Sequence, residues 1–379
     1  MPFHAEPMFP GDLYDTTLRV ASSAATTAGA DADVQASSAA WRQFLDLGWQ
    51  AVLVAEASGG AGASLGDIAA IAEAAGRHAL AAPLVERCAV TPTLLSRIVG
   101  NPAADALLSD IASGEASVCP LLALDETAPT ARLQRAHVAL DGCLRGADLT
   151  EPVTHLLALV ALDGKDALVL LPRAALAGSI GLARSYIGID ARSTTDIDIT
   201  GLTLPEAAVL LHGDSVRPLV DHANAVGALL SCAQMVGAIG AMIEQTIEYL
   251  SMREQFGVAL ATFQALRHKV VEMYVAYENV RGMVRQQVQG LDGMGSALPG
   301  REARRELALV KLYLAVTGRQ VAETAIQLHG GIGMSRELPA ARLAMHALAC
   351  SQRWGARFSQ LDWLAADAAL HGGACDALA

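Results

Sequence analysis

Residues 327–355 read QLHGGIGMSRELPAARLAMHALACSQRWG. The adjacent glycines Gly330 and Gly331 close one helical pattern and precede another, so the backbone there can turn sharply and approach a ligand closely. A glycine cap between two packed helices would give the same local sequence. The upstream segment Arg253-Glu254-Gln255-Phe256-Gly257 favours the ligand reading, because it gathers a planar cation, an amide and an aromatic ring in one short stretch. Gln264 follows at the start of a helical run from Phe263 to Val288. These groups suit a dinucleotide, whose pyrophosphate takes a bidentate cation and whose adenine takes an amide and a ring face.

The 379 residues are enough for two or three domains and a large buried core. With 27 basic against 39 acidic residues the formal charge is −12, which argues against a nucleic-acid partner or an anionic membrane surface. The chain is 53% apolar, but no unbroken apolar run approaches the roughly 20 residues of a membrane span. The N-terminal MPFHAEPMFPGDLYD lacks the basic start and apolar run of a signal peptide, so a cytoplasmic location is expected. Cys88, Cys119, Cys143, Cys232, Cys350 and Cys375 show no CxxC and no histidine at zinc spacing. They read as reduced, mostly buried thiols, and no metal is expected.

The first part of the chain, 1–116, reads as helical. Ala21 to Ser38 is either a weak surface helix or a mobile connection, and the run around Trp41, Phe44 and Leu45 ends at Gly48. The loop Glu56-Ala57-Ser58-Gly59-Gly60-Ala61-Gly62 precedes a helix over about Ser64 to His78. It is no dinucleotide fingerprint, because the surroundings are helical and offer no βαβ unit. From 117 to 215 the spacing becomes strand-like, with runs at Val118–Leu124, His137–Leu140, His155–Leu162, Ala167–Leu171 and Thr195–Leu204 and turn signals at Asp141-Gly142 and Asp163-Gly164. Such strands predict a barrel-like or sandwiched sheet. From 216 to 379 the chain is helical again. Gly227, Ala233, Gly237, Gly240 and Ala241 should let the run Val226–Leu250 pack closely in a bundle. A glycine-rich connection over Arg281 to Arg301 leads to a helix ending near Gln327.

Arg253-Glu254-Gln255-Phe256-Gly257, Phe263-Gln264-Ala265 and Gln327-Leu328-His329-Gly330-Gly331-Ile332-Gly333, in this order, resemble the acyl-CoA dehydrogenase family. The resemblance covers nearly the whole chain. It implies a mainly α fold with a central β-domain (α+β), made of a helical N-terminal domain, a β-barrel or sandwich middle domain and a C-terminal four-helix bundle that forms the oligomer core. It also implies FAD held across a subunit interface by Arg253, Gln255, Phe256, Gly257, Gln264, Gln327, Leu328, Gly330 and Gly331. The implied activity is α,β-dehydrogenation of an acyl-CoA, with electrons passing to an electron-transfer flavoprotein or a similar acceptor. The loop at Glu56–Gly62, with Glu73 and Gly76-Arg77, resembles a family segment on the substrate side of the pocket, with Ala55 where a proline is usual. Two segments depart from the pattern. Leu124-Asp125-Glu126-Thr127-Ala128-Pro129 lacks the Gly-Ser that touches flavin and thioester in the family, and Leu144-Arg145-Gly146-Ala147-Asp148-Leu149 lacks the aromatic residue set against the flavin.

Dehydrogenation needs a carboxylate to take the α-proton and donors on the thioester carbonyl. In the family the base is a glutamate directly before a glycine, and counting from His329 brings that position to Trp354-Gly355. A tryptophan accepts no proton. The minority position on the preceding helix falls near Gly227, and the family's usual arginine there falls near Ala228. Asp221, Glu244 and Glu337 are better read as solvated, paired or capping carboxylates, and His329 and His346 as packing or hydrogen-bonding histidines. The catalytic base is thus unassigned. The resemblance then implies one subunit of a heteromeric α2β2 enzyme, of the kind that degrades steroid side chains, whose related partner supplies the glutamate. The alternative is a flavin-dependent monooxygenase-like or purely structural protein on the same fold.

Overall fold

A computed structural model describes residues 3–26, 33–122, 128–149, 151–180, 183–295, 297–335 and 337–371. The chain divides into two compact units, one of Met1–Arg19, Ala69–Ala79 and Ala228–Ala379, the other of Val20–Ile68 and Leu80–Gly227. The helical start holds α1 (Asp12–Thr26), α2 (Asp33–Asp46), α3 (Leu65–Gly76), α4 (Thr91–Leu95) and α5 (Pro102–Ser113). Ala21 and Ala24 are buried in α1 and Ser37 in α2, so the parts of Ala21–Ser38 within the described residues are packed helix rather than a loose connection.

Among the described residues, ten strands lie between Val118 and His212: β1 (Val118–Leu121), β2 (Thr130–Gln134), β3 (His137–Asp141), β4 (Cys143–Ala147), β5 (His155–Leu162), β6 (Lys165–Pro172), β7 (Arg184–Ile187), β8 (Ser193–Asp198), β9 (Thr203–Pro205) and β10 (Val209–His212), with the short α6 (Ala177–Ile180) after β6. A mixed seven-stranded sheet runs β10-β6-β5-β2-β3-β9 with β1 also on β5, and a three-stranded sheet runs β4-β8-β7. Val138, Leu156 and Val160 from the larger sheet share one buried core with Leu144 and Ile197 from the smaller, which makes the pair sandwich-like. Asp163-Gly164 is a two-residue hairpin with both residues at positive φ (48° and 82°), pairing Leu162 with Lys165. Asp141-Gly142 does not form a hairpin. It passes the chain from β3 in one sheet to β4 in the other. The run expected as one strand over Thr195–Leu204 is two, β8 and β9, on different sheets. The start of the segment Leu144–Leu149, which lacks the family's aromatic residue, lies in strand β4.

Next to this core lies a buried ionic cluster. Arg192, 6% exposed, donates to Asp148 Oδ2 at 2.6 Å and to Glu86 at 2.8 Å. Arg87 is held by the carbonyls of Asp148, Pro152 and Glu151 and by the Ser117 hydroxyl. Each buried cation is therefore met by acceptors, as burial demands. The Gly59–Gly62 loop folds onto its own approach: Ala61, Gly62 and Ala63 donate to the carbonyls of Ala51, Val54 and Val52, and a side chain on Gly60 would collide with the Val54 backbone. Cys88, Cys119, Cys143, Cys232 and Cys350 are free thiols, while Cys375 lies outside the described residues.

The rest of the chain is helical: α7 (Val216–Met252), a hairpin of β11 (Glu254–Gln255) and β12 (Val258–Ala259), α8 (Gln264–Asp292), α9 (Arg301–His329), α10 (Pro339–Gln352) and α11 (Arg357–His371). Residues 281–292, read as connection, are the last turns of α8. By length and composition α7 could cross a membrane, but its most apolar stretch is wholly buried in the protein. Serine, glutamine and glycine punctuate this helix, so it holds no unbroken apolar run of that length. The predicted close packing of its glycines is realised against α3. A side chain on Gly237 would collide with the Glu73 carbonyl, and one on Gly76 with the Gln234 backbone.

The segment 3–9 lies across these helices as a strap. The Met8 amide donates to Glu73 Oε2 at 2.8 Å, the Ala5 amide to Glu244 Oε1 at 2.6 Å, and the Tyr277 hydroxyl to the Glu6 carbonyl at 3.0 Å. Met8 is fully buried. Glu244 also pairs with Arg77.

Candidate cofactor-binding surface and catalytic turn

The end of α7 is fixed by the Arg253 amide donating to the Tyr249 carbonyl, and the hairpin that follows closes with the Leu260 amide on the Arg253 carbonyl at 2.8 Å. Gln255 pairs with Val258, leaving Phe256 and Gly257 as the two turn residues, at φ 57° and 80°. This φ pattern is that of a hairpin turn that normally takes Asn-Gly. A phenylalanine there holds a conformation costing about 1–3 kcal/mol, a cost that structures tolerate mainly at functional sites. Phe256 is 92% exposed, with its ring edge-on to Phe263 at 6.2 Å. Arg253, Gln255 and Gln264 are exposed, and Arg253 has no anionic partner among the described residues.

On α9, His329 is buried, with Nδ1 2.8 Å from the Ala325 carbonyl and its ring against Tyr249 at 4.6 Å. This contact sets the end of α7 beside the end of α9. Gly330 then takes φ 64°, ψ −143°, outside the space of other residues, and Gly330–Met334 form one tight turn. Gly333 is required by packing, since a side chain there would collide with the Ile326 carbonyl. Gly330 and Gly331 instead face open space, where a methyl group would meet nothing within 4 Å. Gln327 is exposed. Leu328 is buried, which leaves only its main chain for a ligand.

The turn from Arg353 to Gly355 joins α10 to α11. Trp354 stands there at φ 54° and Gly355 at φ 99°. The indole Nε1 is buried with no hydrogen-bond partner among the described residues. Of the carboxylates weighed from the sequence, Glu244 is engaged by Arg77 and by the Ala5 amide, and Glu337 and Asp221 are exposed. Arg336 and residues 123–127, which hold most of the segment from Leu124 to Pro129, lie outside the described residues. Sequence reading gave no weight to Glu73 as an ionisable group. Burial, opposed by the Met8 hydrogen bond and by Arg77, raises its carboxyl from 4.5 to about 7. Yet it is 2% exposed beneath the strap, where it serves the fold. Sequence reading also missed Lys311 and Gln360, whose burial beside Trp354 depends on contacts across three helices.

Residues 220–367 match the model of the acyl-CoA dehydrogenase C-terminal domain. Among curated proteins, the chain is 25% identical over 300 residues to acyl-CoA dehydrogenase IpdE2 of Mycobacterium tuberculosis, covering 78% of this chain and 76% of that one. It is 30% identical over 134 residues to IpdE2 of Mycolicibacterium smegmatis (35% and 38%), and 28% over 117 residues to acyl-CoA dehydrogenase family member 11 of Rattus norvegicus (31% and 14%). In these last two the matched part is well under two thirds of the relative. Among solved structures, the ChsE4-ChsE5 complex from Mycobacterium tuberculosis superposes with a TM-score of 0.79 at 18% identity, covering 96% of this chain and 99% of that one. The Tcur3481-Tcur3483 steroid ACAD variant does so with a TM-score of 0.79 at 22% identity, covering 96% and 98%. At these identities the structural likeness establishes the fold. Residues 220–367 thus match an acyl-CoA dehydrogenase C-terminal domain, and nearly the whole chain shares the fold of the solved relatives.

Proposed function

We propose that this chain is one subunit of an FAD-dependent acyl-CoA dehydrogenase, an oxidoreductase acting on a CH–CH bond, and that a related chain supplies the base. The observation that carries this reading is Trp354. The turn where the resemblance puts the carboxylate presents an indole, which cannot take the α-proton. Glu244, on α7, is already committed to Arg77 and the Ala5 amide.

The exposed residues at the ends of α7 and α9 fit FAD. Arg253 offers an unpaired planar cation for a pyrophosphate, Gln255 and Gln264 offer amides, Phe256 offers a ring, and Gly330 and Gly331 leave the main chain approachable. FAD, when bound, supplies the hydride acceptor. Phe256 has almost no contact of its own, and its exposure supports a site completed by another chain. Two structural neighbours support a mixed assembly of related chains and a bulky, steroid-type acyl group: one is a ChsE4-ChsE5 complex, the other is described as a steroid ACAD. An electron-transfer flavoprotein or a similar acceptor would take the electrons onward.

The test is flavin absorbance of the chain purified alone and co-expressed with an acyl-CoA dehydrogenase-like partner. Flavin only in the mixed complex, bleached anaerobically by an acyl-CoA, supports the reading. In that complex Phe256→Ala should weaken flavin binding by about fivefold or more, since aromatic stacking on a base contributes about 1–3 kcal/mol. A yellow homomer bleached by acyl-CoA would place a base on this chain and refute the shared site. Oxygen consumption by reduced flavin without acyl-CoA turnover would point to monooxygenase chemistry.

A further inference from the structure

Trp354 is flanked by two peptide carbonyls, and each is gripped by a buried side chain from a different helix. Lys311 on α9, 3% exposed, donates its ammonium to the Arg353 carbonyl. Gln360 on α11, 2% exposed, donates Nε2 to the Gly355 carbonyl at 3.3 Å. Gln360 is itself aimed by Arg304, whose Nη1 donates to Oε1 at 3.0 Å, and Arg304 lies 4.7 Å over the ring of Trp363. A side chain on Gly355 would collide with the Gln360 amide, so the second grip requires glycine.

Burying a lysine amine for a single main-chain acceptor is costly, and a methionine would fill the same space without that cost. The residue between the grips holds a conformation that bulky side chains avoid, at φ 54°. Left to itself, a turn of this kind would relax toward negative φ. Desolvation lowers the Lys311 pKa, but a neutral amine still donates, so the grip survives loss of the proton.

We propose that Lys311 and Gln360 are positioning residues, which clamp the carbonyls on either side of Trp354 and hold its indole as a fixed aromatic surface for the acyl thioester. The clamp stands on the geometry of the turn alone, and only the identity of the ligand rests on the function proposed above.

The test is fluorine NMR of the full chain labelled with 5-fluorotryptophan, which carries four tryptophans. Trp354→Phe assigns the Trp354 resonance. In Lys311→Met that resonance should move or split, while those of Trp41 and Trp49 stay in place. Gln360→Ala should act in the same way and serves if Lys311→Met does not fold. An unmoved Trp354 resonance in a folded variant of either kind overturns the clamp. The ligand is tested separately, by adding octanoyl-CoA to the flavin-loaded mixed complex. A shift confined to Trp354 supports the thioester surface. No shift removes that assignment and leaves the clamp standing.

Discussion

Glu73 shows how one side chain ties the strap to the core. Its carboxyl is raised from 4.5 to about 7 by burial, so the folded state holds a proton that the unfolded chain has already released across that interval. The stabilisation is therefore complete below about pH 4.5 and is lost as pH rises through 7. The groups facing it are Arg77 just past the end of its own helix, Tyr14 on α1, Arg281 and Tyr277 on α8, and the Met8 amide of the strap. Glu73→Gln keeps the acceptor for Met8 without the charge. It should flatten the pH dependence of thermal unfolding between pH 5 and 8 and leave the variant more stable at pH 8 by on the order of 2 kcal/mol. An unchanged pH profile in Glu73→Gln would refute this account. The sequence contains Glu73 in plain view but not its burial, because the residues that cover it sit at the far N-terminus and on α8.

Between elements, the close packing of α7 through its glycines is legible, while its partner, α3, is not. The glycines of α7 were read as contact points, and Gly237 meets the Glu73 carbonyl with no room for a methyl group. Gly237→Ala should therefore cost about 3 kcal/mol or more, or prevent folding, as measured by urea unfolding. Gly282, on α8 with nothing within 4 Å, is the control. Gly282→Ala should stabilise by about 0.5–1 kcal/mol through helix propensity. The strands were read unevenly, for physical reasons. β5 and β6 are long and apolar and are joined by Asp163-Gly164, so pattern and turn agree. β2 buries only Ala131, and β7 buries none of its residues, so neither carries the alternation from which strands are recognised. The break between β8 and β9 was hidden because Ile199 and Leu202 continue the apolar run through a turn.

At the scale of the molecule, α8 and α9 expose Val271, Tyr274 and Val275 and Leu309, Tyr313 and Val316, each set on one helix face. Such stripes exceed what a solitary protein usually leaves to water and fit association through the bundle. Paired Val275→Lys and Val316→Lys substitutions should reduce the assembled species to 39.3 kDa chains in light scattering, with helix content unchanged. The flavin-face residues were legible because they form short contiguous motifs. The turn at Trp354 was legible only by counting, and its clamp not at all, because Lys311 and Gln360 lie 49 residues apart on separate helices. The same discontinuity bears on how the chain is made. One compact unit draws its pieces from Met1–Arg19, Ala69–Ala79 and everything after Ala228, while the other is complete at Gly227. On a ribosome adding about 5–20 residues per second, the strap and α3 emerge on the order of ten seconds before the helices that receive them. The unit complete at Gly227 thus finishes first, and residues 3–9 wait while Glu244 and Tyr277, their hydrogen-bond partners, are still unmade.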